Sequence, residues 1–206
     1  GSPDVDVMLS EELPSMEDVR NRYNITFENY GIAILHPVTT EIDQLPEQAK
    51  IFVSSLIESN ENYVVIYPNN DAGTEHILNA YKNLRSLDNF KIFPSLRFEY
   101  FLSLLKKSQF IIGNSSAGIH EAPVYGVPTI DIGTRQHNRF NYKSIRNIEF
   151  DRKKILEEVK SAIKSNRYTP TTHYGRGNSA ELFLNVLERS KTWNTKPQKR
   201  FVDITN

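Results

Sequence analysis

Short β-rich runs alternate with helix-spaced apolar residues along most of this chain, and that alternation restricts its fold more than any other feature. The runs are Ile32–Leu35, Tyr63–Tyr67, Phe90–Phe93, Gln109–Ile112, Thr129–Ile132 and Asn147–Phe150. They recur about every 20–30 residues, and their nearly continuous apolar character suits strands covered on both faces. Between them lie Ile42, Leu45, Ala49, Val53 and Leu56, then Ile77, Tyr81 and Leu84, then Phe98, Phe101, Leu102 and Leu105, each set at a three-to-four-residue spacing. No Asn-Gly hairpin signal interrupts the series. Strand, helix, strand without hairpins requires right-handed crossovers, so the expected fold is α/β, a doubly wound, Rossmann-like parallel sheet with helices on both faces.

The last third reads as helical. Asp151 is placed to cap a helix carrying Ile155, Val159, Ala162 and Ile163, and Asn178 with Glu181 forms a capping-box pattern before Leu182, Phe183, Val186 and Leu187. The expected organisation is one domain over residues 1–190 and a polar tail over 191–206, docked on the domain. A length of 206 residues with 38% hydrophobic content supports one sizeable core.

Charge narrows the partners. Lys and Arg total 25 and Asp and Glu total 25, a formal net charge of zero, so no global field draws the chain to nucleic acid or to an anionic membrane. Any anion site must be local. The absence of cysteine removes disulfides and thiolate metal sites. Apolar runs of about six residues are too short for a spanning helix or a signal peptide, and a cytoplasmic location is expected. The start at Gly1-Ser2-Pro3, without Met, suggests a processed or truncated product.

Ligands of open α/β sheets bind outside the carboxyl ends of the strands. Four of those ends carry suitable groups: His36 after the first run, Asn69 after the second, Ser115 and Ser116 after the fourth, and Arg135 after the fifth. The segment Gly113-Asn-Ser-Ser-Ala-Gly-Ile-His-Glu121 is expected to be a small-residue turn that opens a helix, with free amides for phosphate and Glu121 one turn inside as an acceptor for sugar hydroxyls. Such a turn alone merely joins a strand to a helix, and a lone strand-end histidine merely makes a local hydrogen bond. Together the four ends point to an anionic, sugar-bearing ligand such as a nucleotide. His-x-x-x-His spacing, a Gly-x-x-x-x-Gly-Lys loop and a Gly-x-Gly-x-x-Gly fingerprint are all missing, so no metal or cofactor is expected.

Several segments together carry a family resemblance: Gly1-Ser-Pro3, His36-Pro-Val-Thr-Thr40, Tyr67-Pro-Asn-Asn-Asp-Ala-Gly73, Gly113-Asn-Ser-Ser116 with Glu121, Gly133-Thr-Arg-Gln136 and Tyr174-Gly-Arg-Gly-Asn-Ser179. In these the chain resembles the C-terminal half of UDP-N-acetylglucosamine 2-epimerases of the hydrolysing branch, which supply N-acetylmannosamine for sialic acid-type sugars. The Asn114-Ser-Ser116 and Thr134-Arg-Gln136 versions of the motifs favour hydrolysis. The resemblance implies the C-terminal half of a GT-B fold, a UDP-sugar substrate, an N-terminal partner domain outside this chain, a homo-oligomeric full-length enzyme and no metal or redox cofactor. It also implies roles: Ser115, Ser116 and Arg135 on the diphosphate, Glu121 on ribose, Leu96 and Phe101 around uracil with Asn69 nearby, and His36 in catalysis. Phe101 equally suits the core of an apolar helix face. Asn138 departs from the glycine that bacterial relatives often have in a Gly-x-Arg-Gln-x-Gly-Arg run, which leaves the conformation of that loop open. The tail with Gln198-Lys-Arg-Phe201 is similar to bacterial sialic and legionaminic acid pathway enzymes, which admits a 4-amino-sugar substrate. The alternatives are a GT-B glycosyltransferase donor domain and a non-catalytic nucleotide-sugar-binding module.

Overall fold

The computed structural model describes residues 1–196 and residue 198. In chain order the elements are α1 (Pro3–Met8), α2 (Met16–Tyr23), β1 (Gly31–Ile34), α3 (Leu45–Ser59), β2 (Tyr63–Ile66), α4 (Thr74–Tyr81), β3 (Phe90–Phe93), α5 (Phe98–Lys107), β4 (Phe110–Gly113), β5 (Thr129–Ile132), β6 (Ile145–Ile148), α6 (Arg152–Lys164), α7 (Ser179–Leu187) and α8 (Ser190–Trp193). The strands make one parallel sheet in the order β3-β2-β1-β4-β5-β6. The chain moves outward from β1 to β3, then returns to lay β4 against the other side of β1. That reversal opens a crevice outside the ends of β1 and β4.

Side-chain alternation explains the two-sided burial. Ala33, Leu35, Val65, Ile112, Ile130 and Ile132 face one core with Phe52 and Leu56 of α3, Ile77 and Tyr81 of α4, and Ile155 and Val159 of α6. Ile32, Ile34, Val64 and Ile111 face the other with Val5 and Met8 of α1, Val19 of α2, and Leu102 and Leu105 of α5. The expected α/β class with helices on both faces is therefore what the chain adopts. Six strands were read from the sequence and six are present among the described residues. The last begins two residues earlier than expected, because its register is set by pairing Thr129 with Ile145.

Three local expectations are corrected. The segment after β4 is not an α-helix but two 3-10 turns, Ser116–Gly118 and Ala122–Tyr125. Pro123 cannot donate to a carbonyl one turn back, and Gly126 at φ +66° closes the second turn. Asn178 makes no side-chain cap to α7; Asp6 of α1 supplies it, accepting from Ser179 N at 2.9 Å, Ser179 Oγ at 2.8 Å and Ala180 N at 3.2 Å. A carboxylate at a helix N-terminus gains from the dipole as well as from the hydrogen bonds, so it displaces the neutral amide. The apolar face read for α7 is not buried among the described residues, with Leu182 46% and Phe183 65% exposed. Asp151 does cap α6, accepting from Lys154 N at 2.8 Å.

Helices α1 and α2, at 6 and 8 residues, have too few turns for periodicity to disclose them. Of the tail over 191–206, residue 197 and residues 199–206 lie outside the described residues, as does most of the Gln198–Phe201 run. No described helix is long and apolar enough to cross a membrane.

Candidate functional site

Strands β1 and β4 end side by side, with Ile34 paired to Gly113 and Asn114 N donating to Ile34 O at 3.1 Å. Gly113 sits at φ +129°, and a Cβ there would lie 1.9 Å from Ile34 O. Only glycine lets the two strand ends stay in contact. The next residue, Asn114, is 1% exposed and joins three strand ends. Its Oδ1 accepts from His36 N at 2.7 Å and its Nδ2 donates to His36 O at 2.9 Å, so the loop after β1 is held by both of its main-chain polar groups. Its own carbonyl accepts from Arg135 Nη1 at 3.1 Å and Gln136 Nε2 at 2.9 Å, which ties in the loop after β5. A second tie links the same two loops, since Thr134 Oγ1 donates to Glu41, whose other oxygen accepts from Gln48 Nε2 at 3.1 Å.

A cavity of about 430 Å³ opens beside these ends. His36, Asn69, Leu96, Phe101, Ser115, Ser116 and Glu121, seven of the eight residues singled out from the sequence, line it. Arg135 does not; it stands behind Asn114, half-buried. Phe101 is 8% exposed, packed in the core on α5, and also lines the cavity. Pro94, Ser95 and Phe98 also line the cavity and were missed. They follow β3, whose end the same strand-end rule would have flagged. Asn114 and Gln136 were quoted in motifs but not singled out, because their importance lies in side-chain bonds to residues remote in sequence.

Burial first, and then the Arg135 charge, push the His36 imidazole down to about 4, so it is neutral near pH 7. Asn69 N donates to His36 Nδ1 at 3.2 Å, which places the ring proton on Nε2. The result is a neutral N–H donor. Asn69's own side chain is engaged, its Nδ2 donating to Asp71 Oδ2 at 2.7 Å. Ser115 Oγ accepts from Ala117 N at 3.3 Å, while the main-chain N–H groups of Ser115 and Ser116 donate to no acceptor among the described residues. Burial raises the Glu121 carboxyl, and its Oε2 is buried without a partner among the described residues. Asn138 lies at φ +61°, so the loop keeps the left-handed conformation that glycine would favour. The site thus offers amide donors, a neutral imidazole donor and a nearby guanidinium for an anion, a free carboxylate oxygen for hydroxyls, and apolar walls for a flat ring.

A wider cleft, about 1080 Å³, lies between α3 and the ends of β5 and β6, lined by Glu41, Gln48, Thr134 and Phe150 among others. None of the eight sequence-selected residues lines it. Among the described residues no cluster of metal-ligating side chains is present.

A sequence profile described as UDP-N-acetylglucosamine 2-epimerase matches residues 1–188. The UDP-N-acetylglucosamine 2-epimerase of Neisseria meningitidis serogroup B is 47% identical over 99% of this chain and 55% of its own length. The UDP-N,N'-diacetylbacillosamine 2-epimerase (hydrolyzing) of Legionella pneumophila is 23% identical over 91% of this chain and 50% of its own length. Among solved structures, UDP-GlcNAc 2-epimerase of Methanocaldococcus jannaschii in complex with UDP-GlcNAc and UDP superposes with a TM-score of 0.68 at 19% identity, covering 91% of this chain and 53% of that one. The fold is that of the C-terminal half of GT-B enzymes. The chain spans about half the length of the curated relatives it matches.

Proposed function

Because this chain belongs to the UDP-N-acetylglucosamine 2-epimerase family, we propose that it forms the UDP-binding half of a hydrolysing epimerase. The full-length enzyme would convert UDP-N-acetylglucosamine, or a related UDP-amino sugar, to UDP and N-acetylmannosamine for sialic acid-type sugars. It would work in the cytoplasm as a homo-oligomer, with an N-terminal domain closing over the cavity. The observation that carries the reading is the convergence of His36, Ser115, Ser116 and Glu121 on one cavity at the β1–β4 crevice, with Arg135 bound behind them through Asn114. The Legionella relative, whose name specifies hydrolysis, supports the hydrolytic form.

In this reading Ser115, Ser116 and Arg135 hold the diphosphate, Glu121 takes the ribose hydroxyls, and Leu96 and Phe101 flank uracil near Asn69. His36 donates Nε2–H to the diphosphate oxygen on which charge develops as the bond from C1 breaks. Loss of the C2 proton leaves 2-acetamidoglucal and UDP. Water then adds its oxygen to C1, and a proton returns to C2 on the opposite face. The carboxylates that move those protons belong to the partner domain.

Incubating the full-length enzyme with UDP-N-acetylglucosamine, and separately with its 2,4-diacetamido relative, tests the reaction and the substrate together. Release of UDP is expected, with N-acetylmannosamine from the first substrate or the corresponding C2-epimeric 2,4-diacetamido sugar from the second. UDP-N-acetylmannosamine as product would mean a non-hydrolysing enzyme, and intact substrate would leave a transferase or a binding module.

A further inference from the structure

The loop after β5 carries two guanidinium groups, Arg135 and Arg139, that oppose its own conformation. Burial first, and then the Arg139 charge, push Arg135 below its ordinary pKa, and Asp71 and Asp131 offset only part of that shift. Neither arginine forms an ion pair with a carboxylate among the described residues. Asn138, between them, adds a φ of +61°. Charge does not hold this loop together, so packing must.

The loop is anchored at two ends. At the inner end Arg135 and Gln136 donate to Asn114 O. At the outer end the half-buried Phe140 packs against three rings: His173 at 4.3 Å and 21°, Tyr174 at 5.3 Å and 66°, and Tyr142 at 5.7 Å and 8°. Tyr142 follows Phe140 by two residues, and His173 is exposed. Tyr174 is half-buried and fixed from two other directions. Its carbonyl accepts from Ser2 N at 2.6 Å, and its ring stacks on His120, the residue before Glu121, at 4.4 Å and 18°. Tyr174 thus bridges the outer end of the Arg135 loop to the segment after β4, and it does not line the nucleotide cavity. No step of the proposed reaction uses the segment that begins at Tyr174.

We propose that Tyr174 is a positioning residue of the anion site: through Phe140 it holds the loop after β5 against the segment after β4, and so keeps Arg135 where it meets the diphosphate. The proposal rests on the UDP reading above. The contacts to His120 and Phe140 are between rings, so the ring and not the hydroxyl performs the task. A stacked face and an edge-on contact fix a side chain along two directions, which an aliphatic group of similar size does not. Without the clamp the two guanidinium groups are free to move apart, and Arg135 reaches the diphosphate only by losing that freedom again.

Calorimetric titration of the full-length enzyme with UDP and with uridine, alongside its melting temperature, tests this. Tyr174→Ala is expected to weaken UDP about fivefold or more and uridine about twofold or less. Tyr174→Phe, which keeps the ring, should bind both within about twofold of the wild type. In an Arg135→Ala background, Tyr174→Ala should cost about twofold or less for UDP, because the group it positions is gone. Phe140→Leu approaches the same contact from the loop and should repeat the Tyr174→Ala pattern, so a Tyr174→Ala protein that fails to fold leaves the test standing. Four results overturn the clamp while UDP binding by the wild type still upholds the nucleotide reading: equal losses of UDP and uridine, unchanged UDP binding in the folded variants, a Tyr174→Phe protein as weak as Tyr174→Ala, or full additivity with Arg135→Ala. UDP binding untouched by Arg135→Ala overturns it together with the Arg135 assignment. Failure of the wild type to bind UDP overturns the clamp and the nucleotide reading alike.

Discussion

Arg135 and His36 are both assigned to the diphosphate in the proposed function, with different chemistry. Arg135 is charged and bound to the Asn114 carbonyl, so Arg135→Ala should weaken UDP binding by roughly 1.5–3 kcal/mol and uridine binding much less. Calorimetry showing equal losses for both ligands would remove the cation from the phosphate. A neutral His36 helps most when charge builds on the leaving group, so His36→Ala in the full-length enzyme should lower turnover by about a hundredfold or more with a smaller change in KM. Near-normal turnover in a well-folded variant would exclude it from the chemistry. Asp131 adds a pH-dependent case. It is 1% exposed, burial lifts its carboxyl from 3.8 to about 6, and Asn147 Nδ2 at 2.6 Å opposes that rise. Above pH 6 the folded state holds a poorly solvated carboxylate that the unfolded chain solvates freely, so the charge destabilises the fold. That penalty fades as pH falls from about 6 through 3.8. Asp131→Asn should therefore raise the melting temperature at pH 8, with a gain that vanishes toward pH 4; a pH-independent difference would reject the assignment. His36, Ser115 and Arg135 were legible because each falls within three residues of the end of an apolar run. Asn114 and Gln136 were not, since nothing local distinguishes a buried amide that bridges loops from one in a solvated turn.

Among the elements, the turn after β4 depends on one backbone conformation. Gly113→Ala places a methyl group against Ile34 O and forces a positive φ on alanine, so a destabilisation of at least about 1–3 kcal/mol is expected, with UDP binding weakened in the folded fraction. Chemical denaturation compared with Gly31→Ala, a strand glycine whose φ is ordinary, isolates the backbone contribution; equal losses would mean that side-chain crowding alone is responsible. The strands were readable because burial on both faces leaves a run of apolar residues that few other elements share. The pair of 3-10 turns was not, because Ser115–Glu121 satisfies helix-start rules locally and only Pro123 and Gly126 break it further on. The cap of α7 failed for another reason. Asn178 and Glu181 have the right spacing, but Asp6, about 170 residues earlier, is the stronger acceptor and arrives only through the fold.

For the whole molecule, the chain contains both cores of its sheet and the cavity lined by the proposed nucleotide residues. On the proposed function it should fold and bind UDP weakly without epimerase turnover, because that reading assigns cleft closure and the opposing catalytic groups to a partner domain. Robust N-acetylmannosamine release by these 206 residues would refute that division of labour. The alternation of β-rich and helical runs by itself determined the parallel α/β class, since hairpin-free strands can be joined only by crossovers. It also determined which strand ends carry polar groups. Tertiary structure alone decided the order β3-β2-β1-β4-β5-β6, which strand ends became neighbours, and which side chains lost solvent. The physical reason is range. Periodicity and turn chemistry act over a few residues, whereas the bonds that assemble the site, from Asn114 to His36, Arg135 and Gln136, and from Asp6 to Ser179, form only between segments that the folded sheet brings together.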